Sequence, residues 1–244
     1  MIDYHCHLDL YPNPLKIFDE VKSKEIDVLA VTTSPRAYIK TSQYFSNSKK
    51  VRVAVGFHPE LVGQRQNEWI LFMQIIKECK YIGEIGIDGS QRFRDSLDTQ
   101  TIFFRDALIE AEKERGHIIS IHSRAATKQV LSAIEYTKRN NKPVLHWFMG
   151  NFKEVEWAVE LGCWCSVNPT MSESKQGRDI IKRIPQNRIL PETDAPFVML
   201  KNRPYYPWDE TVPKYIAEIS NTSLDSVLAM FNDNLKRLED NSEE

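Results

Sequence analysis

Five of the six histidines, His5, His7, His58, His122 and His146, close short apolar runs, and two carboxylates, Glu84 and Asp194, sit in or just after two further runs. Imidazole nitrogens and carboxylate oxygens held on rigid elements are the donor set that divalent cations require. Gathered around one cavity without a cation, several partly buried groups of this kind would be costly. The chemistry implied is metal-assisted hydrolysis. Two ions about 3.5–4 Å apart need a bridging carboxylate, and Glu84 on an inward strand face is suited to be one. Asp194 is placed to orient an attacking water or accept its proton. Glu192, two residues earlier, points the same way and is suited to hold a ligand imidazole from behind. His117 opens an apolar run instead of closing one and reads as structural.

Positioning these groups is the task of eight short strand-like runs: Ile2–Leu8, Asp27–Thr33, Val51–Phe57, Tyr81–Ile87, His117–His122, Pro143–Phe148, Cys163–Val167 and Arg188–Thr193. Helix-like segments near 14–25, 36–47, 66–79, 98–115, 126–140, 153–161 and 174–183 alternate with them, and two more follow near 209–219 and 223–238. The last shows an apolar stripe, Leu224, Val227, Leu228, Phe231, Leu235 and Leu238, at helical spacing. Eight strand–helix units predict an α/β fold, a (β/α)8 TIM barrel, with the metal site at the C-terminal ends of its strands. An open nucleotide-binding sheet would show a glycine-rich turn after the first strand, where this chain has His7-Leu8-Asp9-Leu10-Tyr11-Pro12. Strand ends occupy about a tenth of a barrel chain, so chance would put about one histidine there.

The chain has 244 residues, and residues 1–244 are expected to form a single hydrolase domain. No Pro-, Gly- or Ser-rich stretch divides it, no internal repeat is found, and only the acidic tail from Glu239 to Glu244 looks frayed. Hydrophobic residues make up 41% and charged residues 27%, which excludes a disordered chain. No apolar run approaches the 18 or so residues of a membrane span, and the N-terminus lacks the pattern of a signal peptide. Four irregularly spaced cysteines fit a reduced, cytoplasmic setting. With 32 Lys and Arg against 34 Asp and Glu, whole-molecule basicity is excluded as a route to nucleic acid.

A local basic rim remains. Loops after the expected strands carry Arg36, Arg65, Arg92, Arg94, Arg124, Lys175, Arg178, Lys201 and Arg203, interleaved with Phe93, Tyr205, Tyr206 and Trp208, which suits phosphates and unpaired bases. Cys163-Trp164-Cys165 lacks the spacing of a metal or redox motif and reads as two small buried residues of a strand. The run from Trp69 to Ile76 reads as helix core.

The motifs in order are Asp3-Tyr4-His5-Cys6-His7-Leu8-Asp9, Gly56-Phe57-His58-Pro59, Gly83-Glu84-Ile85-Gly86-Ile87-Asp88, Ile121-His122-Ser123-Arg124, His146-Trp147-Phe148-Met149-Gly150 and Glu192-Thr193-Asp194-Ala195-Pro196. Together they resemble the TatD family of metal-dependent hydrolases, within the amidohydrolase-like barrels. The resemblance implies that His5 and His7 bind one ion with Asp194, that Glu84 bridges to a second, and that His122 and His146 complete the second site. It implies that His58 and Arg124 contact substrate or phosphate. It further implies a deoxyribonuclease supported by Mg2+ or Mn2+, working on DNA ends or single strands; the imidazole-rich donor set also suits Zn2+. The sequence departs from the family pattern at Glu60, Gly89, Trp147 and Met149-Gly150. These variants and the compact chain resemble TatD-type nucleases of Qat-type anti-phage clusters, with protein partners in a defence complex. Alternative readings are hydrolysis of a small ester or amide, or of an aminoacyl ester, in the same pocket, or a metal-retaining component of an assembly.

Overall fold

The computed structural model describes residues 1–114, 116–137 and 140–240. The end of the expected 98–115 helix, positions 138 and 139 of the 126–140 helix and the tail from 241 lie outside the described residues. Among those described, eight parallel strands alternate with helices: β1 (Ile2–Cys6), α1 (Pro14–Ser23), β2 (Asp27–Val31), α2 (Pro35–Phe45), β3 (Val51–Ala54), α3 (Pro59–Val62), α4 (Trp69–Ile75), β4 (Tyr81–Gly86), α5 (Leu97–Ala111) and β5 (Ile118–His122). Then come α6 (Thr127–Tyr136), β6 (Lys142–His146), α7 (Phe152–Glu160), β7 (Trp164–Val167), α8 (Pro169–Glu173), α9 (Lys175–Ile181) and β8 (Ile189–Pro191). A short antiparallel pair, β9 (Met199–Leu200) and β10 (Arg203–Pro204), precedes α10 (Thr211–Ile219) and α11 (Leu224–Glu239).

The strands pair in chain order, β1-β2-β3 and β4 through β8. The two ladders meet at a parallel bridge between Val55 and Ile82, where Gly83 N–H donates to Val55 O at 2.8 Å. On the other side, Asp194 N–H donates to His5 O at 2.9 Å and His7 N–H to Ala195 O at 2.8 Å. Asp3 reinforces that seam, its carboxylate accepting from the backbone N–H of Thr193 at 2.9 Å and from the Thr193 hydroxyl at 2.6 Å. This is the expected TIM-barrel architecture.

Local sequence explains the helix starts. Asn13 and Ser34 cap helices that begin with proline, and Asn151 and Glu154 form a reciprocal capping box at α7. Helices bury their apolar faces inward, as where Phe103 of α5 meets Phe57, just beyond β3, and Phe72 of α4, with ring centroids 5.0 and 5.1 Å away. Each fully buried phenylalanine contributes roughly 1.5–3 kcal/mol. The α11 stripe seats Val227, Phe231, Leu235 and Leu238 as expected. Its C-terminal carbonyls, which have no partners within the helix, accept from Lys80 and Lys142, and Glu239 pairs with Arg52. Gly86 permits a tight approach of β4 to β5: its φ is +147°, and a methyl there would sit 2.1 Å from His122 O.

Several expectations need correction. β1 stops at Cys6, and Leu8–Leu10 form a 3-10 turn, so His7 lies just past the strand. The 66–79 helix is interrupted, with only Trp69–Ile75 α-helical, and Ile70 is 73% exposed because it faces outward from that short helix. Other expectations hold: Cys163 and Cys165 are buried, and the buried His117 bonds Cys79 O through Nδ1 at 2.6 Å, as a structural residue. Among the described residues no helix is long and apolar enough to cross a membrane.

Candidate metal centre

Glu84 organises the barrel's mouth. It is 1% exposed, and its two carboxylate oxygens face different imidazoles. Oε2 lies 3.1 Å from His7 Nε2 and 3.5 Å from His5 Nε2. Oε1 lies 2.7 Å from His122 Nδ1, 2.9 Å from His146 Nε2 and 3.3 Å from His58 Nε2. Asp194, at a positive φ of 50° just beyond β8, brings Oδ1 to 3.6 Å from His5 Nε2 and 3.7 Å from His7 Nε2. Six residues expected as ligands therefore converge from five strand ends. His58, expected at the substrate, also reaches Glu84. Arg124 stands exposed beyond β5, its carbonyl accepting from Gly89 N–H.

A further layer fixes the imidazoles. Ser120 Oγ is 2.8 Å from His5 Nδ1, and Asp88 Oδ2 is 3.1 Å from His122 Nε2. Glu192 accepts from the N–H of Trp147 at 3.0 Å, Asn168 Nδ2 at 3.2 Å and the Ser166 hydroxyl, and lies 3.6 Å from His146 Nδ1. Glu192 thus takes its expected place behind His146. Ser120 and Asp88 carry roles the sequence reading missed; the signal was parity, since Ser120 precedes His122, and Asp88 follows Glu84 and Gly86, in steps of two.

Charge is shared unevenly here. Burial opposes ionisation of Glu84, but His58, His146 and His122 overcome it and hold its carboxyl well below the usual range. Burial and the neighbouring His146 push His5 down to about 4. Burial would also lower His7, His122 and His146; the Glu84 carboxylate, joined by the Asp88 bond at His122 and by the Glu192 charge near His146, raises all three instead. Asp194 is raised, chiefly by burial. Asp88 falls to about 2 because bonds from His122 and Ser90 outweigh its burial.

The donor set fits a cation. His5 Nε2 is buried without a hydrogen-bond partner, yet it points at two carboxylate oxygens just beyond hydrogen-bond range. Among the described residues, three groups have donor atoms within 4.8 Å of one another: His5, His7 and Glu84; His58, Glu84 and His122; and His5, His146 and Glu192. Neutral imidazoles and ionised carboxylates in such groups suit divalent metals.

The rim is only partly as expected. Arg36, Arg65, Arg92, Arg94, Arg124, Lys175 and Lys201 are exposed. Arg203 is engaged by both oxygens of Asp209, at 2.8 and 2.9 Å, and Arg178 by the carbonyls of Ser172 and Glu173. Tyr205 is buried against Tyr11, whose hydroxyl donates to its carbonyl, so it offers no stacking face.

Barrel and site together define a metal-dependent hydrolase. Residues 2–240 match the family model described as TatD related DNase, and the chain belongs to that family. It is 30% identical to an uncharacterized metal-dependent hydrolase of Buchnera aphidicola subsp. Acyrthosiphon pisum, over 81% of each chain. It is 25% identical to human deoxyribonuclease TATDN3, covering 98% of this chain and 94% of that one. In fold it is similar to YjjV, the TatD homolog of Escherichia coli, with a TM-score of 0.84, 21% identity, and coverage of 98% and 97%.

Proposed function

We propose that residues 1–244 form one divalent-metal-dependent phosphodiesterase that acts on DNA, at ends or in single-stranded regions. The observation that carries this reading is the division of Glu84. Oε2 faces His5 and His7 while Oε1 faces His122 and His146, the arrangement of a carboxylate that serves two ions. Asp194 would join His5 and His7 at the first ion. Mg2+ or Mn2+ is proposed for activity, with Zn2+ as a further occupant suited to imidazole. Bound ions supply Lewis-acid polarisation of the phosphoryl group and offset its charge.

The chain's own residues do the rest. Asp194, whose Oδ1 lies beside the imidazoles of His5 and His7, takes the proton of the attacking water. Glu192 and Asp88 fix the rings of His146 and His122. His58, partly buried with Nε2 beside Glu84, and the exposed Arg124 bind the phosphate, and Arg36, Arg65, Arg92 and Arg94 attract the flanking backbone. The similarity to a human deoxyribonuclease supports a DNA substrate. The test is incubation of Mg2+- or Mn2+-loaded protein with labelled single- and double-stranded DNA, RNA and chromogenic esters. DNA cleavage that falls by about 100-fold or more in both Glu84→Ala and Asp194→Asn is expected. Ester turnover without nuclease activity would overturn the assignment.

A further inference from the structure

Phe197 breaks the burial pattern of the barrel's mouth. Its backbone N–H donates to Asp194 O at 3.0 Å, which ties it to the candidate metal centre. Its ring stands nearly perpendicular to that of His7, at 83° with centroids 5.1 Å apart. Yet the residue is 60% exposed. Two other large apolar residues share this side: Met199 on β9 is 53% exposed and Leu10 on the turn after β1 is 40% exposed. Their segments pack together beneath, through Leu8, Tyr11, Ala195, Val198 and Tyr205 in one apolar cluster. Single apolar residues on a surface are ordinary, but an aromatic ring resting on a candidate ligand imidazole is continuous with the reaction site. Apolar surface kept there signals an apolar ligand part.

We propose that Phe197 is the stacking platform for a nucleobase beside the scissile phosphate, and that it makes an unpaired nucleotide the preferred substrate. This rests on the phosphodiesterase reading above. A phosphate held by cations leaves its base to find a surface, and an aromatic face one nucleotide's reach away provides it whatever the base. Bases stacked within a duplex cannot present that face without being unpaired first. The consequence is selection for ends and single strands with little sequence preference. In the segment that follows it, Lys201 is exposed at the β9–β10 turn and Arg203 is engaged by Asp209.

The experiment compares a thymidine decamer with a tetrahydrofuran decamer, the same sugar–phosphate chain without bases, in wild type, Phe197→Ala, Phe197→Leu and Phe197→Tyr. Wild type is expected to favour the thymidine chain by about 10- to 100-fold in kcat/KM, mainly through KM. In Phe197→Ala the preference falls about tenfold or more. Phe197→Leu, apolar without a π face, behaves like Phe197→Ala, and Phe197→Tyr retains the preference. Melting temperature and Mn2+ affinity verify that each variant is folded and loaded. An unchanged preference in Phe197→Ala, or one rescued by leucine, overturns the inference alone. A wild type that cleaves neither chain overturns the phosphodiesterase reading, and the inference with it.

Discussion

Replacing Glu192 by glutamine separates support of the site from support of the fold. The carboxylate is 2% exposed, and Oε1 accepts from Trp147 N–H and Asn168 Nδ2 while Oε2 accepts from the Ser166 hydroxyl. In Glu192→Gln the amide oxygen can keep the first two bonds, and the amide nitrogen can donate to Ser166 once that hydroxyl rotates. The hydrogen-bond inventory survives, so the metal-free variant should lose no more than about 1 kcal/mol in urea unfolding. What disappears is the negative charge 3.6 Å from His146 Nδ1, which fixes that ring and raises its basicity. Losing a carboxylate of this kind typically weakens metal binding 10- to 100-fold, or about 1.4–2.8 kcal/mol. Calorimetric titration with Mn2+ reads that directly. A dissociation constant within about twofold of wild type in a folded variant, against the tenfold expected, would refute the role given to Glu192.

Asp3→Asn tests the β1–β8 seam. Burial pushes Asp3 up to about 7, so between its ordinary value of 3.8 and that pH the folded chain holds a proton the unfolded chain has released. Asp3 therefore costs stability progressively as pH rises through this window, up to about 4 kcal/mol above it. Metal-free Asp3→Asn should exceed wild type at pH about 8 and converge with it near pH 4 in denaturant titrations; lower stability than wild type at the higher pH would contradict the assignment. Metal uptake should release protons, because His7, His122 and His146 all hold theirs above the usual imidazole value. Mn2+ affinity should then rise as pH increases from about 6 to 8, and calorimetric heats should vary with buffer ionisation enthalpy. Heats independent of buffer would rule out this protonation pattern.

Most of the candidate metal centre was legible because strand alternation and strand ends are one-dimensional features. His5 and His7, Glu84, His122, His146 and Asp194 could be assigned to one mouth once eight strands were recognised, and the structure brings them together. The barrel followed from the same alternation. What escaped depends on which neighbour a side chain meets. Ser120 looks like any small strand residue until His5, from β1, is found across the barrel. Arg203 reads as a free rim cation, but the backbone turns Asp209 onto both of its terminal guanidinium nitrogens. Tyr205 and Tyr206 are adjacent, yet one is buried against the β1 turn while the other stacks on Tyr11 and Trp208. Phe197 gave no signal, because its exposure is the unusual feature and hydrophobic pattern predicts burial.

Equilibrium dialysis against Mn2+ followed by metal analysis addresses the central claim, that Glu84 divides its two oxygens between two ions. Wild type should retain two ions per chain, and Glu84→Ala, folded by circular dichroism, should retain at most one with weakened affinity. A wild type that takes up no divalent ion, or a Glu84→Ala variant that still holds two, would contradict it.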